Sequence, residues 1–216
     1  MIKPLSDSEL YEFRHGDKER RSNARFLCVI LSLFIAFLTF SAWWTGAFGG
    51  VVVDGSSMNQ TLYDGETLLM KYAKRDEAKR GDIIVVYVGG YEECKSVKGD
   101  FLIKRLIAIE GDKVRCDNGQ IEIMYAGTSE WTELSEPYAY YGNYRFEYDF
   151  AEYTVGENEI FFLGDNRSGK GSSVDSRYQE GMSHLEKLYQ ETDVYGIVPA
   201  WAIEHHEILS KIFFRR

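Results

Sequence analysis

The chain has 216 residues, of which 44% are hydrophobic and 15% are aromatic, and its formal net charge at pH 7 is -9. This composition excludes a disordered chain, which would be poor in aromatic and branched apolar residues. The negative charge argues against nucleic acid as a partner, because phosphate binding needs a concentrated basic surface.

The first predicted element is an apolar segment, residues 26–44, which contains no charged side chain and ends in two tryptophans. A helix of this length spans roughly 28 Å, which matches the hydrocarbon core of a bilayer, and tryptophan is enriched at the membrane interface. The sequence predicts a single transmembrane anchor between an amino-terminal segment, residues 1–25, and an outer domain, residues 45–216. The alternative is a cleaved signal peptide, with residues 47–49 as a small-x-small site.

Basic residues set the predicted orientation of this anchor. Lys18, Arg20, Arg21 and Arg25 directly precede the apolar segment. Positively charged flanks stay on the cytoplasmic side of a membrane. We therefore expect a single-pass protein of the plasma membrane, with a cytoplasmic amino terminus and an extracytoplasmic domain.

A pair of serines follows the anchor in the stretch DGSSMNQTL, residues 54–62. A serine hydroxyl is a poor nucleophile until a base removes its proton. Ser56 and Ser57 therefore either form part of a turn only, or include a nucleophile whose base lies elsewhere in the chain.

The outer domain shows the pattern of an all-β fold. Short apolar and β-branched runs alternate with Gly-Asp turns, as in a barrel or sandwich. The predicted strands are residues 51–53, 67–70, 83–88, 101–109, 121–125 and 160–163. A short surface helix is predicted near residues 183–192, which begin with a capping-box pattern. The final residues KIFFRR are expected to form a terminal strand with a charged tail, or else to touch a membrane surface.

The candidate base is Lys104, within the apolar run FLIKRLIAI. Because side chains alternate between the faces of a strand, Lys104 shares a face with Leu102 and Leu106, while Arg105 lies on the other. Burial disfavours the charged ammonium ion, so that a lysine can serve as a base near neutral pH, whereas arginine keeps its proton. The alternative is an edge strand with two solvated cations.

Other catalytic and ligand-binding patterns are weak. None of the four histidines lies in a recognisable nucleophile context, and a G-x-S-x-G elbow is absent. Cys94 and Cys116 either form a disulfide, which an oxidising exterior would permit, or remain free thiols. Their spacing does not suit zinc, and we expect neither a metal nor an organic cofactor.

Three segments together resemble the bacterial type I signal peptidases, which are membrane-bound proteases with a Ser/Lys dyad. Residues 57–62, SMNQTL, are similar to the serine box of that family. Residues 103–105, IKR, followed by residues 111–114, GDKV, are similar to its lysine box. Residues 164–167, GDNR, with residues 173–177, SVDSR, resemble its third box.

The resemblance implies that Ser57 is the nucleophile, that its backbone N–H stabilises the oxyanion, and that Lys104 is the general base. It implies supporting or orienting roles for residues of the third box, namely Ser173, Asp165, Arg167, Asp175 and Arg177. It further implies that the substrate docks as an added strand. The residues expected to bind it are Asp54, Gly55, Ser56, Met58, Phe101, Leu102 and Ile103.

The chain departs from the family pattern at several points. Gln60 replaces the usual proline, which predicts a looser turn. Gly55 stands where some relatives have a serine that donates to the oxyanion. Residues 117–159 match nothing in the family, and residues 178–195 are an insertion.

The reaction implied by the resemblance is hydrolysis of a peptide bond at the carboxyl end of a secretory signal peptide. The expected partners are preprotein signal peptides and the lipid bilayer. Two alternatives remain open. A specialised relative would process only a few surface proteins, such as pilus subunits, and a non-catalytic relative would assist their assembly.

Overall fold

The computed structural model describes residues 6–89, 98–168, 176 and 189–213. The described residues form two compact units, one that ends at Ala47 and one that begins at Phe48. The first unit is a single long helix. The second contains all of the strands that are described below.

The first unit is helix α1, Asp7–Ala47, which contains the whole of the predicted apolar segment. It begins with a capping box, because the Ser6 N–H donates to Glu9 Oε2 at 2.8 Å and the Glu9 N–H donates to Ser6 Oγ at 3.4 Å. Farther along, the Ser32 hydroxyl donates to the Val29 carbonyl at 2.9 Å, so its polarity is satisfied within the helix. Among the described residues, α1 alone is long and apolar enough to cross a membrane.

Ten strands lie within the described part of the second unit. They are β1 Phe48–Val52, β2 Thr67–Tyr72, β3 Ile83–Tyr87, β4 Phe101–Ile109, β5 Lys113–Asp117, β6 Gln120–Met124, β7 Thr132–Glu133, β8 Phe150–Thr154, β9 Ile160–Leu163 and β10 Val194–Val198. Six of them form an antiparallel sheet in the order β1-β2-β10-β3-β4-β9. The other four form a second antiparallel sheet in the order β7-β6-β5-β8. Two short helices, α2 Ala200–Glu204 and α3 His206–Phe213, follow β10.

Strands β6, β7 and β8 of the second sheet come from residues 117–159, which carry none of the family's boxes and which we call the unmatched segment, whereas β5 begins at Lys113 of the lysine box. A tight hairpin joins β5 to β6 through Asn118 and Gly119, whose φ angles of 49° and 73° are both positive. Asn-Gly favours this two-residue turn because both residues tolerate the left-handed region. Apolar side chains of β5, β6 and β8 then pack against Phe161 and Leu163 of β9.

The two faces of the six-stranded sheet carry separate apolar clusters. One cluster contains Ile84 and Val86 of β3 together with Leu106 of β4. The other contains the intervening residues Ile83 and Val85 with Met70 and Met58. Because side chains alternate along a strand, Phe101 and Ile103 of β4 face the Met58 cluster, whereas Leu102, Lys104 and Leu106 face the other cluster.

The predicted mainly-β fold with an amino-terminal apolar helix is confirmed. All six predicted strands correspond to strands of the structure, and β4 and β9 have the predicted bounds. The sequence pattern does not reveal β5, β7, β8 or β10, because charged residues or a glycine interrupt their apolar runs.

The end of the chain differs from the prediction. The expected terminal strand is wrong, since His206–Phe213 form an α-helix in which Ile208, Leu209 and Ile212 recur at helical spacing. Residues 183–188 of the predicted surface helix lie outside the described residues. Its last part is not α-helical, because Gln190 forms a β-bridge with Glu159 and a 3-10 turn follows at Glu191–Asp193.

Candidate active site

Ser57 lies on the loop that joins β1 to β2. The Thr61 N–H donates to the Met58 carbonyl at 2.9 Å, so a helical turn follows the serine. The Gly55 N–H donates to Asp64 Oδ1 at 2.7 Å and closes the base of the loop. Met58 is buried in the apolar cluster of the sheet, whereas Ser57 is only half-buried. The burial of Met58 therefore anchors the loop, while Ser57 beside it stays partly exposed.

Both departures from the family pattern near Ser57 lie at residues with positive φ angles. Gln60 has a φ of 50°, in the left-handed region. A proline ring holds φ near about -65°, so proline cannot occupy this backbone. Gly55 has a φ of 92°, where a serine would be strained. The backbone of the loop thus disfavours proline at position 60 and serine at position 55.

Lys104 lies in the middle of β4, between β3 and β9, and is directly opposite Ile84. Its side chain is 1% exposed, and the neighbouring Arg105 is 9% exposed. The alternative of an edge strand with solvated cations is therefore wrong. Leu106 and Ile84 of the same face belong to an apolar cluster. This environment disfavours a charged ammonium ion.

The third box holds the serine loop directly. The Asn166 N–H donates to the Ser57 carbonyl at 2.9 Å, and the Asn166 side-chain amide donates to the Ser56 carbonyl at 2.9 Å. Asn166 follows β9, which pairs with β4 through Leu163 and Arg105. The box therefore connects the loop of the candidate nucleophile to the strand of the candidate base.

Asp165 makes a second connection between these two elements. It accepts two hydrogen bonds from Arg105, at 2.8 and 2.6 Å, and one from the Thr61 hydroxyl at 2.5 Å. Thr61 belongs to the serine loop, and Arg105 is adjacent to Lys104. Because Asp165 is fully buried, this bidentate ion pair is shielded from water and fixes both partners.

Residues from the unmatched segment cover the outer side of the third box. Arg167, which is 1% exposed, donates to both carboxylate oxygens of Glu136 at 2.7 and 2.5 Å and to the Tyr141 hydroxyl at 2.8 Å. Burial opposes the charge of Arg167, but the Glu136 carboxylate outweighs this effect and raises the pKa of Arg167 well above its usual value. The Arg105 guanidinium lies 3.7 Å from the centroid of the Tyr138 ring.

The expected substrate-binding residues lie in three places, on the two faces of β4 and on the serine loop. Phe101 and Ile103 pack against the cluster that contains Met58. Leu102 points to the opposite face, with Lys104, and packs against the other cluster. Asp54, Gly55 and Ser56 are exposed on the serine loop.

Some expected site residues cannot be placed. Ser173, Asp175 and Arg177 of the third box and Cys94 lie outside the described residues. Ser176, between two of them, is buried and its hydroxyl accepts a hydrogen bond from the Phe162 N–H at 2.9 Å. Cys116 is a free thiol that donates to the Tyr148 carbonyl at 3.2 Å, as in the alternative without a disulfide.

Sequence reasoning missed four residues that hold the site together, namely Thr61, Asn166, Glu136 and Tyr138. Asn166 lies within the GDNR box, so its position was a usable signal. Glu136 and Tyr138 lie in a segment with no family pattern, and their partners are about thirty residues away, at Arg167 and Arg105. No local pattern indicates such contacts.

Comparisons with known proteins define the class of protein to which this chain belongs. Residues 26–201 match the family model described as signal peptidase, peptidase S26. The chain is 29% identical over 184 residues to signal peptidase I P of Bacillus subtilis subsp. natto, covering 84% of this chain and 91% of that protein. It is 32% identical over 170 residues to signal peptidase I of Bacillus licheniformis, covering 74% of this chain and 77% of that protein.

A solved structure of a bacterial protein also resembles this chain. The crystal structure of a signal peptidase I from Enterococcus faecalis V583 matches 56% of this chain and 97% of its own, with 24% identity and a TM-score of 0.37. On the family model and the Bacillus relatives, the protein is a serine peptidase, a hydrolase. The chain belongs to the signal peptidase family, peptidase S26.

Proposed function

We propose that this protein is a membrane-anchored endopeptidase that removes signal peptides from exported preproteins, with Ser57 as nucleophile and Lys104 as general base. The observation that carries the proposal is the burial of Lys104 on an interior strand, in an apolar face of the sheet. A base must be neutral before it can accept a proton, and an apolar environment favours the neutral amine.

The chemical steps follow from these two side chains. The Lys104 amine takes the proton of the Ser57 hydroxyl, and Ser57 Oγ attacks the carbonyl carbon of the scissile bond. The peptide C–N bond then breaks as the Lys104 ammonium gives its proton to the leaving amine, and an acyl-enzyme and a neutral Lys104 amine result. The Lys104 amine then deprotonates a water molecule, which attacks the acyl carbon. The acyl bond breaks, and Ser57 Oγ leaves and regains its proton. The Ser57 backbone N–H faces the developing oxyanion and stabilises it.

The supporting residues act by holding these two groups in position. Asn166 and Asp165 hold the serine loop and the lysine strand together through the hydrogen bonds given above. Ser173 would orient the lysine amine, and Asp175 and Arg177 would complete the ionic network. Precise placement of reacting groups contributes several kcal/mol to catalysis, about 7 or more for well-oriented pairs.

The membrane arrangement is part of the proposal. Helix α1 anchors residues 26–44 in the plasma membrane, and the basic residues before them keep residues 1–25 in the cytoplasm. Residues 45–216 then form the extracytoplasmic catalytic domain. A preprotein held by its own apolar segment in the same bilayer is presented at a raised effective concentration.

Two substitutions test the dyad. Ser57→Ala and Lys104→Met should each lower turnover of a preprotein by more than about a thousandfold, because each removes one reacting group. Methionine preserves the length and apolar character of the lysine stem, so Lys104→Met should remain folded. Lys113→Met, at an exposed lysine that pairs with Glu152, is the matched control and should retain normal turnover. Near-normal turnover by Ser57→Ala or Lys104→Met would refute the dyad.

The breadth of the substrate repertoire needs a separate measurement. Purified protein should be tested against a panel that contains a generic exported reporter and several surface-assembly subunits. Cleavage of the reporter supports a general signal peptidase. Cleavage of one or a few subunits alone would assign the specialised alternative.

A further inference from the structure

Four aromatic side chains form a continuous row across one face of the six-stranded sheet. The Tyr72 and Tyr195 ring centroids are 5.4 Å apart, those of Tyr195 and Phe101 are 4.9 Å apart, and those of Phe101 and Tyr87 are 5.4 Å apart. The four residues belong to β2, β10, β4 and β3, which are neighbours in the sheet. We call this row the aromatic band.

The aromatic band lies on the face of the six-stranded sheet that carries the Met58 cluster. Tyr72 is two residues after Met70, and Phe101 is two residues before Ile103, so each pair projects from the same side of its strand. Met70 belongs to the apolar cluster that contains Met58, and Ile103 packs against it. The three tyrosines of the band are about 37–44% exposed. The band therefore extends the apolar surface around Met58 outward to solvent.

The position of the aromatic band along the strands fixes its distance from the serine loop. The loop joins β2 at Thr67, and Tyr72 lies five residues farther along the same strand. At about 3.4 Å per residue this separation is roughly 17 Å. A substrate in extended conformation covers that distance with five or six residues.

The far end of the aromatic band adjoins the chain just after the anchor. Gly49 is the second residue after α1, and the Tyr72 hydroxyl lies 2.5 Å from the position that a Cβ at Gly49 would occupy. A substrate whose apolar core lies in the bilayer must pass from the membrane to Ser57. The band lies between Gly49 and the serine loop, on the face of the sheet that carries the Met58 cluster.

We propose that the aromatic band binds the fifth to seventh residues before the cleaved bond, where the apolar region of a signal peptide ends. This inference rests on the proposed function. Its chemistry is the packing of aliphatic side chains on partly exposed aromatic rings. The band would thus select for apolar residues at positions well upstream of the bond.

Two peptides and two double variants test the inference. Both peptides carry Ala-x-Ala before the bond, and one has leucines while the other has serines at the fifth to seventh positions. The full-length protein in detergent should cleave the leucine peptide with a kcat/KM about tenfold higher. Tyr72→Ser/Tyr195→Ser should reduce this preference to within about twofold, while the kcat/KM for the serine peptide stays unchanged within the same margin.

Matched variants separate packing from folding. Tyr72→Phe/Tyr195→Phe keeps both rings and should keep the preference. Tyr144→Ser, at an exposed tyrosine of the unmatched segment, should also keep it. An equal loss on both peptides, or a preference that survives the double serine variant, would overturn the inference. The binding of the same variants to lipid vesicles is measured as well. A double serine variant whose only defect is weaker binding to vesicles would also overturn the inference, since the aromatic band would then contact lipid.

Crosslinking keeps the inference testable even if the proposed function fails. Failure of the wild-type protein to cleave either peptide would refute the function. A leucine peptide with benzoylphenylalanine at the sixth position before the bond would then be photolysed with the Ser57→Ala protein. Labelling within the aromatic band supports the inference, and labelling elsewhere or none at all contradicts it.

Discussion

The backbone at Gln60 gives the first prediction at the scale of single residues. Because its φ is 50°, Gln60→Pro must distort the turn that follows Ser57. We expect a loss of about 3 kcal/mol in the free energy of unfolding and at least about a tenfold loss of turnover. Gln60→Gly accepts the same φ and should change stability by less than about 1 kcal/mol. Normal turnover by the proline variant, measured with the peptide assay, would contradict this account of the loop.

Cys116 allows a test of burial in the second sheet. Burial raises the pKa of its thiol to about 12, from an ordinary value near 8.5. The folded protein therefore keeps this proton between about pH 8.5 and 12, where the unfolded chain loses it. Its contribution to stability is complete below about pH 8.5 and falls as the pH rises toward 12.

The thiolate form of a cysteine is the form that reacts with a maleimide, so burial should lower the reactivity of Cys116. In a Cys28→Ser/Cys94→Ser background, a maleimide at pH 8 should label folded Cys116 about a thousandfold more slowly than it labels the denatured chain. Rapid labelling of the folded protein would show that this thiol is accessible.

At the scale of elements, the third box is held between two layers. Asn166 and Asp165 contact the serine loop on one side, and the Tyr140 N–H donates to the Asp165 carbonyl on the other. Glu136 and Tyr138 extend that outer layer. The unmatched segment therefore stabilises the third box on the side away from the serine loop, although it carries none of the family's boxes.

Glu136→Gln tests this support. The substitution leaves the Arg167 charge buried without its carboxylate, which should cost about 3 kcal/mol of unfolding free energy. Glu133→Gln, at an exposed position of β7, should change stability by less than about 0.5 kcal/mol. Chemical denaturation measures both. Equal stability of the two variants would mean that the ion pair contributes nothing.

The sequence predicted those features that are local. Apolar runs located β4 and β9, and strand periodicity placed Lys104 and Arg105 on opposite faces. The contacts of Glu136 with Arg167 and of Asn166 with Ser56 join distant residues, and nothing in either neighbourhood indicates the partner. The helix α3 was missed because the prediction considered only the last six residues of the chain, KIFFRR, which show an apolar pair and charges, whereas the helical pattern begins at Ile208.

At the scale of the whole molecule, the anchor and the domain should contribute separately to activity. A fragment of residues 48–216, which form one compact unit, should cleave a short soluble peptide within about twofold of the full-length rate. With a preprotein embedded in vesicles, the fragment should be slower by at least about tenfold, because it lacks the raised effective concentration. Equal rates on the embedded preprotein would show that α1 has no role in presentation.

The hydrogen bond between Asn166 and the Ser56 carbonyl spans 110 positions of the chain. During biosynthesis the serine loop leaves the ribosome before Asn166, which donates this hydrogen bond, has been synthesised. A partly synthesised chain therefore lacks the hydrogen bonds from Asn166 that connect its serine loop to the third box. The hydrogen bonds between the serine loop and the third box can therefore form only after Asn166 has been synthesised.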